Sequence, residues 1–155
     1  MRRRYFSQFL SVSIILFLIL IGMQVPFIQK SATSIHADSA ADYEVVFDIT
    51  SKDVAAQQQV IREAGLIKEA HPEAKVEVVL YGKSLDLILK DKSTHVEDVQ
   101  KLVSEGVAFR VCHIAMDHHH ITESKLIKGV GTVPDGIYEI ISKQKQGWGY
   151  IKITP

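Results

Sequence analysis

The chain has 155 residues, of which 46% are hydrophobic, and its 18 basic side chains balance its 18 acidic ones. These values are typical of a globular protein with one sizeable core. The absence of a Lys/Arg cluster with interleaved aromatic residues argues against a nucleic-acid partner, and the single cysteine excludes an internal disulfide.

The first 37 residues have the pattern of an export segment. Arg2, Arg3 and Arg4 precede an uncharged apolar run over residues 9–25, as in a secretory signal or a membrane anchor. Small residues near Ala32 and Ala37 offer cleavage sites, whereas the run is also just long enough to span a bilayer, so both fates stay open with cleavage slightly favoured. We therefore expect residues 1–37 to be a signal peptide or membrane anchor of an extracytoplasmic protein, periplasmic or secreted.

Residues 38–42 read as a linker, and the remaining domain covers residues 43–155. This domain is mildly acidic, because the export segment holds four of the 18 basic residues and none of the 18 acidic ones. Apolar runs predict strands at residues 43–50, 76–81, 107–114, 130–133 and 148–153. Helical spacing predicts helices at residues 51–70, 96–106 and 136–146, a helical turn at 84–89, and a helix after Cys112 that continues through residues 122–128. This order predicts an α/β fold, a three-layer sandwich with a mostly parallel five-stranded sheet.

Local signals predict how the helices begin and which side of the last one is buried. Ser51 is the expected cap of the first helix, and residues 94–97 have the spacing of a capping box. In the last helix we expect Ile137, Ile140 and Ile141 to point inward.

The strand at residues 107–114 contains Cys112 near its carboxyl end. A strand this apolar is typical of a central strand buried on both faces, and parallel sheets place ligands at the carboxyl end. The first turn of the next helix, together with Arg110 on the same strand face, would favour a thiolate. Cys112 is therefore the candidate catalytic residue. The alternative is a core role, which is the commoner fate of a lone cysteine in an apolar strand.

Cofactor and metal sites receive less support. Residues 50–53, after the first strand, contain no glycine-rich phosphate loop, so we expect neither a flavin nor a dinucleotide cofactor. His113, His118, His119 and His120 are ligand types for Zn, Cu and Ni. Adjacent histidines point in different directions, however, and a defined site needs ligands from separate elements. We therefore expect a solvated polar patch rather than a metal site.

Nearly all of the domain resembles the DsrE/DsrF-like sulfur-relay family. The resemblance rests on the strand-end cysteine of residues 106–112, the turn at residues 133–137 and the closing stretch at 144–152. It implies an α/β fold that assembles as trimers or hexamers, and a persulfide on Cys112, which matches the position of the family's cysteine. Two departures accompany it: Tyr81 stands where many relatives have a histidine, and export separates this chain from the cytoplasmic partners of the best-known members.

Two functions from different classes follow. The first is an exported sulfur carrier, in which Cys112 accepts a sulfane sulfur from a donor protein and passes it to an acceptor. The second is a non-catalytic binding or assembly module in which Cys112 is merely buried, with metal binding through the histidine cluster as a variant. Whether the protein is an enzyme stays open.

Overall fold

The computed structural model of the chain describes residues 43–154. The predicted export segment and linker lie outside the described residues. Within residues 43–154, no helix is both long and apolar enough to cross a membrane.

The described residues form five strands and four α-helices in alternation, close to the predicted order. The strands are β1 (Glu44–Ile49), β2 (Lys75–Leu80), β3 (Ala108–Cys112), β4 (Gly131–Val133) and β5 (Gly149–Ile153). The helices are α1 (Val54–Ala70), α2 (Val96–Ser104), α3 (His113–His118) and α4 (Gly136–Lys145), and short 3₁₀ turns lie at Ser84–Ile88 and Glu123–Lys125.

The five strands form one parallel sheet in the order β4-β3-β2-β1-β5. The chain moves strand by strand from β1 to β4, and then returns through α4 to the far side of β1. Since crossovers between parallel strands are right-handed, this reversal puts α4 on the opposite face of the sheet from α1, α2 and α3. The predicted three-layer α/β sandwich is confirmed. β3 is paired on both sides, but the middle strand of the sheet is β2.

Two apolar clusters show the layers. The larger one joins Phe47 and Val78 of the sheet to Val60 of α1, Leu102 of α2 and Met116 of α3. On the other face, Val46 and Val79 pack only against Ile140 of α4, with Tyr81 and Trp148 beside them. The thin second cluster leaves room on that face for polar side chains.

The predicted helix starts need correction. The cap of α1 is Asp53, whose carboxylate accepts from the backbone N–H groups of Ala55 and Ala56 at 2.9 and 3.1 Å. Ser51 instead accepts from the N–H of Asp53 at 3.0 Å. The expected capping box is absent as well, because His95 is the residue before α2 and makes no side-chain cap.

Two further expectations about helices are wrong. The helix after Cys112 ends at His118 rather than continuing, because His120 has a φ of 53°, a left-handed conformation that a helix cannot contain. Of the three isoleucines of α4 only Ile140 is buried, while Ile137 and Ile141 are 55% and 43% exposed. The reason is that α4 contacts the core through one narrow side, over Val46 and Val79.

Candidate functional site

Cys112 lies at the carboxyl end of β3 and points to the α4 side of the sheet. Val111 before it packs into the larger cluster with α1–α3, and side chains alternate along a strand. The cysteine is 6% exposed and forms no disulfide. It therefore combines the position expected of a reactive thiol with the burial expected of a core residue.

The neighbours of Cys112 differ from those expected. Cys112 precedes α3 without any side-chain bond to that helix. It lies instead under the first residue of α4, since a Cβ placed on Gly136 would come within 3.1 Å of the Cys112 Cβ and 3.2 Å of Val79 Cγ1. A Cβ at this position would require its neighbours to shift by a few tenths of an ångström, so glycine suits the close approach of α4. The correction follows from the strand order, which places α4 rather than α3 over this face.

Tyr81 forms another wall of the cysteine's surroundings. Leu80 of β2 pairs with Val111 of β3. Tyr81 and Cys112, which directly follow these two residues, therefore lie side by side on the α4 side of the sheet. The Cβ position at Gly136 is also 3.5 Å from Tyr81 Cδ1. Tyr81 and Cys112 therefore lie side by side beneath the start of α4.

The groups that could stabilise a thiolate, helix N–H donors and Arg110, make other contacts. The carboxylate of Asp135 accepts from the N–H groups of Ile137 and Tyr138 at 2.8 and 3.2 Å, so these donors of the first turn of α4 are already used. Arg110 turns toward β4, where its Nη1 would be 2.5 Å from a Cβ on Gly131. Its Nη1 also donates to the carbonyl of Phe109, at 3.5 Å.

A buried carboxylate organises the polar part of this face. Asp48 of β1 is 4% exposed. Its Oδ2 accepts from the hydroxyl groups of Tyr150 at 2.8 Å and Tyr81 at 3.3 Å, and its Oδ1 accepts from Lys152 Nζ at 2.8 Å. We call these four residues the Asp48 cluster. A buried carboxylate is tolerated because two hydroxyls and an ammonium replace its water.

The surroundings of Asp48 raise the pKa of both phenols. Burial, followed by the charge of Asp48 and the hydrogen bond to it, raises the pKa of Tyr81 to about 12, and a charge on Cys112 would add to this rise. Burial and then the hydrogen bond to Asp48 likewise raise the pKa of Tyr150 to about 12. Near neutral pH both side chains are therefore hydrogen-bond donors and not bases.

A second buried acid lies under the middle of α4. Glu77 of β2 is 3% exposed and accepts from Lys143 at 3.0 Å, while its Oε1 has no partner. Burial raises the pKa of Glu77, and the neighbouring ammonium of Lys143 opposes that rise. Lys143 also lies 4.2 Å from the centroid of the Trp148 ring. The Lys143–Glu77 pair joins α4 to β2 and so helps to keep α4 in place above Cys112.

The histidine cluster is dispersed over several local contacts. His119 Nε2 lies 2.9 Å from the carbonyl of Gly82, His118 packs edge-on against His119, and His113 lies 3.3 Å from Asp117. Among residues 43–154, no group of three or more His, Cys, Asp or Glu side chains is arranged to hold a metal ion.

The structure brings together residues that the sequence reasoning did not connect. Tyr81 and Tyr150, 69 positions apart, meet at Asp48. Asp48 and Lys152 were missed. The available signal was an acidic residue inside the apolar strand Glu44–Ile49, because a carboxylate is seldom buried unless it is paired.

The comparisons with known proteins give a family, from a family model, and a fold, from solved structures. The model of the DsrE/DsrF-like family matches residues 44–153. No curated protein sequence matches the chain. Among solved structures, MTH1491, a protein of unknown function from Methanobacterium thermoautotrophicum, is 29% identical with a TM-score of 0.68, over 72% of this chain and 99% of that one.

Two more distant structures share the fold. The ychN protein from E. coli is 14% identical with a TM-score of 0.62, over 71% of this chain and 98% of its own. BT1422 from Bacteroides thetaiotaomicron, described as a conserved protein of unknown function, is 16% identical with a TM-score of 0.62, over 74% of this chain and 97% of its own.

Proposed function

The chain belongs to the DsrE/DsrF-like family, which is associated with sulfur relay, and on that premise we propose that it is an extracytoplasmic sulfur carrier acting through a persulfide on Cys112. The observation that supports the proposal is the placement of the only thiol at the carboxyl end of β3, beside Tyr81 and beneath Gly136. Parallel α/β sheets place their ligands at this end.

The proposed reaction moves one sulfur atom without net oxidation. The thiolate of Cys112 attacks the outer sulfur of a persulfide donor, the donor's S–S bond breaks, and the donor leaves as a thiolate. Cys112 then holds the sulfur as Cys112–S–SH or its anion. An acceptor thiolate then attacks the outer sulfur, the S–S bond breaks, and Cys112 leaves as a thiolate. The donor and acceptor are proteins of persulfide chemistry, and the reaction needs no cofactor.

Export and assembly complete the proposal. Export is supported by the charged start and apolar run of residues 1–37. Assembly into a homotrimer or hexamer is supported by the exposed apolar side chains of α4, which include Ile137 and Tyr138 at 55% and 68% exposure.

Intact-mass measurement after incubation with polysulfide tests the carrier function. We expect one added sulfur atom on the purified protein and none on Cys112→Ala, which removes the only thiol. Because two added oxygens have nearly the mass of one sulfur, each sample is also treated with dithiothreitol. That reagent removes sulfane sulfur but does not reverse oxidation to a sulfinic acid. No addition to the wild type, or equal addition to Cys112→Ala, contradicts the proposal.

A non-catalytic assembly module is the second candidate, and a specific observation favours it. Cys112 is 6% exposed, as a structural cysteine would be, whereas the apolar side of α4 is open. In that case a thiol reagent would label the folded protein only as fast as the protein unfolds globally. Labelling much faster than global unfolding would favour the carrier.

A further inference from the structure

The burial of Cys112 raises a question about access that the proposed function must answer. Only 6% of the residue is exposed, so a donor sulfur gains full access to the thiol when a neighbouring group moves. Three groups pack around it at the start of α4: Gly136, whose Cβ position is 3.1 Å from the Cys112 Cβ, and Val79 and Tyr81, which lie 3.2 and 3.5 Å from that same position.

Two of these walls are fixed by the fold. Gly136 begins α4, and the side chain of Asp135 caps that helix. Val79 is a fully buried residue in β2, the middle strand. Moving either one would disturb the packing of the sheet or of α4.

The third wall is held differently. The backbone of Tyr81 is fixed, because its N–H donates to the carbonyl of Ile49 at 3.3 Å and its carbonyl accepts from Ser84 Oγ at 2.9 Å. Its half-buried ring is secured at the hydroxyl by the 3.3 Å hydrogen bond to Asp48, and Lys152 Nζ lies 5.6 Å from the ring centroid. A side-chain rotation could therefore open this wall without moving the main chain.

Asp48 keeps hydrogen-bond partners even without Tyr81. Its carboxylate keeps two shorter hydrogen bonds, both of 2.8 Å, from Tyr150 and Lys152 when the phenol of Tyr81 leaves. The bond that closes the wall is thus the longest of the three and the least costly to break.

We propose that Tyr81 is a positioning residue that controls access to Cys112, with its hydrogen bond to Asp48 as the latch. Closed, the ring shields the thiol from solvent; open, it admits a partner's sulfur. The use of this gate rests on the proposed carrier function, whereas the gate itself concerns only the exposure of the thiol.

Alkylation of the purified protein by iodoacetamide, measured across pH, tests the gate. The plateau rate at high pH reports access, and the midpoint reports the acidity of the thiol. Tyr81→Phe keeps the ring but removes the latch. Because this bond is long, at 3.3 Å, we expect it to contribute no more than an ordinary hydrogen bond, so the plateau rate should rise about fivefold to tenfold. Tyr150→Phe is the matched control: it removes a shorter bond to the same carboxylate from a strand that does not adjoin Cys112, and its plateau should be unchanged.

Two results would overturn the gate. One is a plateau for Tyr81→Phe equal to that of the wild type; the other is an equal rise in Tyr150→Phe, which would indicate general loosening around Asp48. If Tyr81→Phe does not fold, labelling of the wild type at low urea decides. Local opening gives a rate insensitive to low urea, whereas a rate that rises as steeply as global unfolding contradicts the gate.

The gate and the carrier function can fail separately. Sulfur loading is read by intact mass and access by alkylation. Faster alkylation of Tyr81→Phe without sulfur loading of the wild type retains the gate and rejects the carrier. Sulfur loading with unchanged alkylation of Tyr81→Phe retains the carrier and rejects the gate.

Discussion

Replacing Asp48 by Ala should destabilise the protein far more than its single charge suggests. The substitution removes three hydrogen bonds and leaves two phenols and the ammonium of Lys152 without their acceptor. Bonds to a charged group contribute about 1.5–3 kcal/mol each, and breaking a fully buried pair costs about 3–5 kcal/mol. Since Lys152 is 35% exposed and Tyr150 is 42% exposed, both donors regain hydrogen bonds to water in the variant. The loss in the free energy of unfolding therefore falls below the figure for a fully buried pair, at about 2–3 kcal/mol.

Urea denaturation of the wild type and Asp48→Ala measures this loss. Asp86→Ala is the control, because Asp86 pairs with Lys92 at 3.2 Å and both side chains are about half exposed. An exposed pair of this kind contributes about 0–1 kcal/mol. If Asp48→Ala costs no more than Asp86→Ala, the Asp48 cluster is not the stabilising unit described above, and the reasoning from its burial is wrong.

The same cluster predicts a loss of stability in alkali. Tyr81 and Tyr150 have pKa values near 12 in the folded protein against 10 for a free phenol. Between these values the unfolded chain loses phenolic protons that the folded protein keeps, so stability is full below pH 10 and falls as the pH rises toward 12. Asp48→Asn should lower both phenol pKa values, visible as earlier phenolate absorbance in a pH titration. Unchanged titration would mean that Asp48 does not raise them.

Two further predictions concern the packing of α4 against the sheet. Gly136→Ala should destabilise the protein by about 0.5–2 kcal/mol, because the added Cβ would press on neighbours at 3.1 and 3.2 Å. Gly65→Ala, with its nearest neighbour at 3.8 Å, should stabilise the protein by about 0.5–1 kcal/mol. Shifts of the urea midpoint in the same direction for both variants would contradict this. Lys143→Met should lower the free energy of unfolding by about 3–5 kcal/mol, because Glu77 stays buried without its cation. In a double-mutant cycle, adding Glu77→Gln should recover part of that loss. No recovery would show that the two side chains do not interact.

The local elements could be predicted from the sequence because short-range patterns determine them. All five strands lie within two residues of their predicted bounds, since apolar runs between Gly, Pro and polar residues have the length of buried strands. Helix starts were predicted less well. Ser51 and Asp53 both have oxygens suited to capping, and the one that caps is decided by where the backbone turns.

The sequence by itself determined the alternation of strands and helices, the family and the place of Cys112 at a strand end. Only the tertiary structure decided what surrounds that thiol. The return of the chain from β4 to the far side of β1 puts α4 over Cys112, and it brings Lys152 to Asp48 across 104 positions of sequence. Such contacts depend on strand order and crossover hand, which are properties of the whole sheet and not of any segment of the chain.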